Sequence, residues 1–229
     1  MYKSALEFSH EIATDLQVPN ILEALQGDLA RYDECDVAYM PGLSVGMVQA
    51  ANLFEVMVGY LKSSKVEKLA ISGSDGEGVA EGSKPGEDWP GKSWYIKEIT
   101  KRGVRIDKII PLSGPQRHTR QETDSLLEEA RNRNWRGIIV VSVDYHRPRQ
   151  ILGCIKRMKE IGWRTRLYFP SIPFNWNAEM IGSQHGKNST GTKEAETDWN
   201  VKIPKYQAKG DLASHHEFKE YIAWRDRGQ

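Results

Sequence analysis

Short apolar runs recur along the chain, separated by longer stretches in which apolar residues return every three or four positions. The runs are residues 37–40, 69–72, 109–112, 138–143 and 167–169, each of strand length. Between them, residues 45–61, 94–101, 120–134 and 148–161 carry helical periodicity. In the last of these, Ile151, Cys154, Ile155, Met158 and Ile161 make one stripe, and Pro148 suits a first turn whose amides have no helical acceptor. Strand and helix alternating at this spacing predict a parallel sheet with right-handed crossovers. Ile138-Ile139-Val140-Val141 is continuously apolar, as a central strand covered on both faces should be. The helix from Val45 is apolar nearly all round, which predicts burial. The expected fold is α/β, a three-layer Rossmann-like parallel sheet of about five strands.

Three stretches fall outside that alternation. Residues before about Arg31 read as two short helices broken at Pro19, with Ile21, Leu22, Leu25 and Leu29 at helical spacing in the second. Residues 74–93 and 175–209 read as long polar loops, the first rich in glycine and acid, the second without periodicity. A closing helix starts near His215, where Ser214 and Glu217 have the spacing of a capping box. The pattern therefore divides the chain into a helical segment (1–34), a Rossmann-like body (35–174), and a loop and helix (175–229) that complete the same domain.

Composition narrows the function classes. With 32 Lys and Arg against 31 Asp and Glu, the net charge is +1, which lacks the basic excess that nucleic-acid binding draws on. Two cysteines, Cys35 and Cys154, are too few for a paired-cysteine metal site and read as buried free thiols. The N-terminus lacks a signal-peptide apolar run, and no apolar stretch reaches spanning length. A cytoplasmic protein acting on a small molecule is expected.

The densest chemistry follows the fourth strand, in Ser142-Val143-Asp144-Tyr145-His146-Arg147-Pro148-Arg149. In open parallel sheets ligands bind beyond the carboxyl ends of the strands, where helix N-termini point at them. His146 and Arg149 fall on one face of a first helical turn; histidine exchanges protons near neutrality, and arginine holds a carboxylate or phosphate through two bonds. In the plainer alternative, Asp144 caps the helix and the arginines are solvated or paired. After the second strand, Ser72-Gly73-Ser74-Asp75-Gly76-Glu77-Gly78 offers close backbone approach, with Asp75 or Glu77 available to ribose hydroxyls; a merely flexible turn explains it equally. After the third, Arg117-His118-Thr119-Arg120-Gln121-Glu122 is unusually cationic. There Thr119 and Glu122 have capping-box spacing, which needs no function.

Gly86-Glu87-Asp88-Trp89-Pro90-Gly91-Lys92-Ser93 matches the P-loop pattern letter for letter. Its context does not: no strand ends directly before Gly86, Glu87 and Asp88 would face phosphate with like charge, and Pro90 removes an amide donor. A nucleotide hydrolase using Lys92 and Ser93 is thus one alternative function, and a non-catalytic ligand sensor another.

Taken in order, four stretches resemble the YdcF/SanA/ElyC-like family of bacterial proteins. They are Asp36-Val37-Ala38-Tyr39-Met40-Pro41-Gly42 with the helix around Gln49, then Ile71-Ser72-Gly73, then Gly103-Val104 with His118-Thr119-Arg120-Gln121-Glu122, and last Val141-Ser142-Val143-Asp144-Tyr145-His146-Arg147-Pro148-Arg149. The final stretch looks like the family's Val-Thr-Ser-x-Tyr-His-Met-x-Arg signature. The family's Asn-Thr is His118-Thr119 here, and its first-helix arginine is Gln49. The resemblance spans roughly residues 36–170 and is to the cytosolic YdcF branch. It implies a Rossmann-like fold and a nucleotide-like ligand, such as S-adenosylmethionine or a phosphorylated compound. His146, Asp144 and Glu122 are the expected proton-handling residues. Gly42, Gln49, Ser72, Gly73, Ser74, Asp75, His118, Thr119, Ser142, Tyr145, Arg147 and Arg149 are the expected ligand contacts.

Overall fold

The computed structural model describes residues 4–14, 17–26, 35–75, 88–114, 116–181 and 188–227. All five apolar runs are strands: β1 (Val37–Met40), β2 (Lys68–Ile71), β3 (Ile109–Pro111), β4 (Gly137–Val140) and β5 (Arg166–Tyr168). They pair in parallel in the order β3-β2-β1-β4-β5. β1 and β4 lie at the centre, Val37 beside Ile138 and Tyr39 beside Val140, and both are buried at every position. That two-sided burial is why neither sequence alternates.

Helices supply the crossovers. α3 (Val45–Ala50) and α4 (Leu53–Lys62) join β1 to β2, α5 (Lys92–Lys101) leads to β3, α6 (Thr119–Asn132) to β4, and α7 (Arg147–Glu160) to β5. α4 packs on α5 and α6 on α7, giving the two outer layers of a doubly wound fold. The single helix expected over 45–61 is broken. Asn52 sits in the left-handed region at φ 51°, which asparagine tolerates better than most residues. The break leaves the Ala50 carbonyl to accept from the Asn175 amide at 3.3 Å, tying the later chain to this corner.

At the N-terminal side, α1 (Ala5–Ile12) opens with a Ser4–Glu7 capping box and is followed by α2 (Gln17–Ala24). Pro19 does not break a helix. It is the third residue of α2, where an amide has no partner within the helix to lose. Leu29 lies outside the described residues. At the other end, the expected loop over 175–209 is largely regular. An antiparallel pair, β6 (Glu179–Ile181) and β7 (Asn188–Thr190), precedes α8 (Gly191–Thr197), a π-helical turn Asp198–Lys202 and α9 (Ile203–Ala208). Each piece buries only a few residues, such as Ala195, Trp199 and Ile203, too few to write a periodic stripe. α10 (His215–Arg225) has the expected Ser214–Glu217 box. It docks through Phe218 and Tyr221, whose hydroxyl accepts from the Leu167 amide at 2.7 Å and donates to the Thr165 carbonyl at 3.1 Å. One hydrophobic core joins the sheet to both terminal additions. Cys35 and Cys154 are both buried. No described helix is long and apolar enough to cross a membrane.

Candidate functional site

The strand order reverses between β1 and β4, so the chain leaves their carboxyl ends in opposite directions and opens a crevice there. Two polar groups meet at it. The first follows β1 and β2. Glu122 Oε1, from α6, accepts from the Gly42 amide at 2.7 Å and from the Ser72 hydroxyl at 3.3 Å. Gln116 Oε1 accepts from the Gly73 amide at 2.7 Å and lies 3.2 Å from Ser72 Oγ, while the Gln116 amide donates to the Ser113 carbonyl at 3.0 Å. The two loops touch because both turn at glycine. A Cβ on Gly42 would fall 2.8 Å from Glu122 Oε1 and 3.1 Å from the Gly73 Cα, and Gly73 itself has φ 119°.

Burial pushes the Glu122 carboxyl up to about 7 against the downward pull of the Gly42 and Ser72 hydrogen bonds. It therefore exchanges protons near neutrality. The capping-box reading of Thr119 and Glu122 is corrected: His118 is the N-cap, its Nδ1 accepting from the Gln121 amide at 3.4 Å, and Glu122 faces inward.

The second group follows β4. Arg149 Nε donates to both Asp198 oxygens, at 2.8 and 3.0 Å, and Nη1 donates to Thr119 Oγ1 at 3.1 Å. Nη2 meets His146 Nε2, and because a guanidinium only donates, that ring nitrogen accepts and the proton sits on Nδ1. Burial, then the Arg149 charge, pushes the imidazole down to about 3, so His146 is neutral across the physiological range. Burial pushes the Asp198 carboxyl up, but Arg149, His146 and Lys202 outweigh it and leave Asp198 below its ordinary range. Asp198 reaches Arg149 from the π-helical turn, which Trp199 fixes by donating Nε1 to the Tyr145 carbonyl at 2.7 Å.

Five buried polar atoms in this second group have no hydrogen-bond partner among the described residues: Ser142 Oγ, Tyr145 OH, His146 Nδ1, Arg147 Nε and Gln150 Oε1. Leaving such an atom unpaired costs about 1–3 kcal/mol. Five within nine consecutive residues mark this turn as unusual.

Several expected contacts take other roles. Asp144 does not orient His146: Oδ1 accepts from Arg147 Nη1 at 3.2 Å and the Ile172 amide at 3.0 Å, and Oδ2 from the Ser171 hydroxyl at 3.0 Å. Arg147 is likewise committed within the protein, its buried side chain donating Nη2 to the Phe169 carbonyl at 2.6 Å. The pair clamps the segment after β5 to the turn. Asp75 is not free for ribose hydroxyls. It caps α5, accepting from the Ser93 amide at 2.8 Å and the Ser93 hydroxyl at 2.7 Å. The place of a P-loop phosphate thus holds a carboxylate, and Lys92 Nζ donates to the Leu112 carbonyl at 2.9 Å. Ser74 packs its carbonyl against Gly91; Gly76, Glu77, Gly78, Gly86 and Glu87 lie outside the described residues. Gln49 is exposed on α3 and shares no hydrogen bond or cleft wall with the others.

Thr119 and Arg149 also close the inner end of a cleft of about 470 Å³ between α6 and α7. His118, Arg120, Lys156, Arg157 and Tyr206 are among its walls, and its volume is within the range that holds a small organic molecule. A second, much smaller cavity lined by Tyr39, Thr119, Glu122 and Gln150 lies behind it. Among the described residues no group of three His, Cys, Asp or Glu side chains is placed to hold a metal ion. Sequence reasoning missed Gln116, Asp198, Lys156 and Tyr206. Within residues 191–208, the large aromatic side chains Trp199 and Tyr206 are the signal that could have shown that this polar stretch docks on the body. Compared with models of known protein families and with curated proteins, the chain matches none.

Proposed function

We propose that the chain is a YdcF-like small-molecule enzyme or binder that takes an anionic, nucleotide-like ligand at the carboxyl edge of its sheet. The observation that carries this reading is the set of unpartnered buried atoms on Ser142, Tyr145 and His146, the last of which meets Arg149, a wall of the cleft. Polar atoms kept dry and unpaired on a rigid strand-to-helix turn are preorganised for a guest. In this reading His146 is a polarising donor through Nδ1–H rather than a base, because its other nitrogen is engaged by Arg149. Glu122 is the proton-exchanging group, and Thr119, which borders both the cleft and the small cavity beside Glu122, relates the two.

A non-catalytic sensor is the second reading. It is favoured by the Ser142 hydroxyl, which has no base bonded to it and so lacks the activation a nucleophile needs. The test is to identify any co-purified compound by mass spectrometry, then titrate it together with S-adenosylmethionine, nucleotides and sugar phosphates by thermal stabilisation. His146→Gln and Ser142→Ala should each weaken the stabilising compound about tenfold or more, equivalent to about 1.4 kcal/mol. Wild-type affinity in both folded variants removes the reading. Recovery of the compound unchanged after long incubation selects the sensor.

A further inference from the structure

The cleft between α6 and α7 says more about the guest than the turn does. It begins at Thr119 and Arg149 and follows α7 past Gly153 to Lys156 and Arg157, roughly 12 Å along the helix axis at 1.5 Å per residue. Four cationic side chains, Arg120, Arg149, Lys156 and Arg157, line it against two carboxylates, Asp124 and Asp211. Three of the four cations are already paired: Arg149 with Asp198, Arg120 with Glu160 and Asp211, Arg157 with Asp124 and Glu160. Lys156 has no ion pair among the described residues, although it is half-buried in the wall. A half-buried ammonium without a counter-charge is a place for an anion.

Two further features shape the cleft. Gly153 lies in the middle of α7, where glycine weakens a helix relative to alanine. Packing does not require it: a Cβ there would meet only Leu212, at 3.6 Å, an ordinary contact. What the missing side chain leaves is the floor of the cleft. Opposite, the partly exposed Tyr206 ring carries Lys205 and Lys209 ammonium groups 6.0 and 5.9 Å from its centroid. These cations stand over the ring, so a planar, electron-rich ring stacks on Tyr206 by displacing an ammonium group and keeping it at its edge.

Resting on the proposed ligand site, we infer that the cleft takes a nucleoside phosphate monoester, its phosphate on Lys156 and its base against Tyr206. The same charges disfavour S-adenosylmethionine, whose sulfonium and ammonium groups would face an excess of cations. The phosphate supplies the counter-charge that Lys156 lacks, and glycine at 153 gives the ligand depth.

The experiment titrates the four common nucleoside 5′-monophosphates, adenosine, inorganic phosphate and S-adenosylmethionine against the full chain by calorimetry. At least one monophosphate should bind tenfold or more tighter than adenosine, phosphate or S-adenosylmethionine. Lys156→Ala should weaken it about tenfold, Tyr206→Ala several-fold, and Gly153→Leu should abolish it while Gly153→Ala keeps it. Circular dichroism checks each fold; if Gly153→Leu does not fold, Lys156→Ala decides. The inference is overturned if no monophosphate binds, if S-adenosylmethionine binds tighter, or if Lys156→Ala or folded Gly153→Leu binds like wild type. Its failure is separable from that of the parent reading. A ligand of another class that needs His146 but not Lys156 removes the inference alone. A monophosphate that needs Lys156 but neither His146 nor Ser142 keeps the cleft and removes the role given to the turn.

Discussion

Two buried polar groups lie side by side at the carboxyl edge of the sheet and differ in how their hydrogen bonds close. Around Glu122, the amides of Gly42 and Gly73 and the side chains of Ser72 and Gln116 bond to one another. Between Ser142 and Gln150, a comparable burial leaves five polar atoms with no partner among the described residues. Both groups follow a central strand, and both sit where a helix begins. The first spends its polarity on holding the loops after β1 and β2 against α6. The second holds itself in place by other means, the Asp144–Arg147 clamp and the Arg149–Asp198 pair, and leaves Ser142, Tyr145 and His146 uncommitted. Unsatisfied buried polarity is what sets the second group apart from the first and what supports the proposed ligand site.

Removing the charge that closes the second group should have the largest effect. Asp198 is fully buried and its two oxygens share the bifurcated Nε–H of Arg149. Asp198→Ala strands that guanidinium, and breaking a buried pair from one side costs about 3–5 kcal/mol. Urea unfolding should show the loss as a lower midpoint at unchanged slope. The double variant Arg149→Met with Asp198→Leu should recover most of it, because replacing both partners removes the uncompensated charge. A single-variant loss below about 1 kcal/mol would mean that solvent reaches Arg149 and that the group is not closed as described.

In the first group the effect should be smaller but clear. Gln116→Ala leaves the buried Gly73 amide without its acceptor, at about 1–3 kcal/mol. Ser72→Ala removes a hydroxyl within reach of both Glu122 and Gln116 and should cost about 1 kcal/mol. If both variants unfold at the wild-type urea midpoint, the network around Glu122 is not holding the loops.

How much of this contrast the sequence shows depends on whether a residue's partner is near in the chain. The strands are legible because continuous burial writes continuous apolarity, as in Ile138-Ile139-Val140-Val141. The turn after β4 is legible because Ser142, Asp144, Tyr145, His146, Arg147 and Arg149 crowd the residues just past that strand. Glu122 is ambiguous: three residues after Thr119 it has capping spacing, and only its bond to Gly42, 80 residues away, shows that it points inward. Asp198 is illegible. It lies in a polar stretch, 49 residues from Arg149, and reaches it through a π-helical turn that no periodicity announces. Asp144 and Arg147 mislead in the opposite sense, since charged residues in a candidate site turn out to clamp the chain after β5.

Titration separates the groups further, because their buried acids and bases have opposite slopes. Glu122 is raised to about 7 from 4.5. Between these values the folded chain holds a proton that the unfolded chain has released, so its share of stability is present below 4.5 and is lost as pH rises to 7. His146 is lowered to about 3 from 6.5; there the unfolded chain binds the proton, and stability is lost as pH falls from 6.5 to 3. Urea midpoints followed from pH 4 to 8 should therefore lose their high-pH decline in Glu122→Gln, and part of their low-pH decline in His146→Gln. An unchanged decline above pH 5 in Glu122→Gln would show that another group carries it.

The smallest expected change in stability is the most discriminating. Ser142 Oγ and Tyr145 OH have no hydrogen-bond partner among the described residues, so removing them takes away no bond and relieves the burial of a polar atom. Ser142→Ala and Tyr145→Phe should lie within about 0.5 kcal/mol of wild type, or above it, although both positions are as buried as Ser72. The same hydroxyl deletion would then cost about 1 kcal/mol after β2 and nothing after β4. Ligand affinity should reverse that order, falling in Ser142→Ala and Tyr145→Phe and holding in folded Ser72→Ala. Stability traded for binding capacity at one turn, and not at its neighbour, is what a preorganised site requires. If Ser142→Ala destabilises the chain as much as Ser72→Ala, the hydroxyl has a structural partner and the two groups are alike.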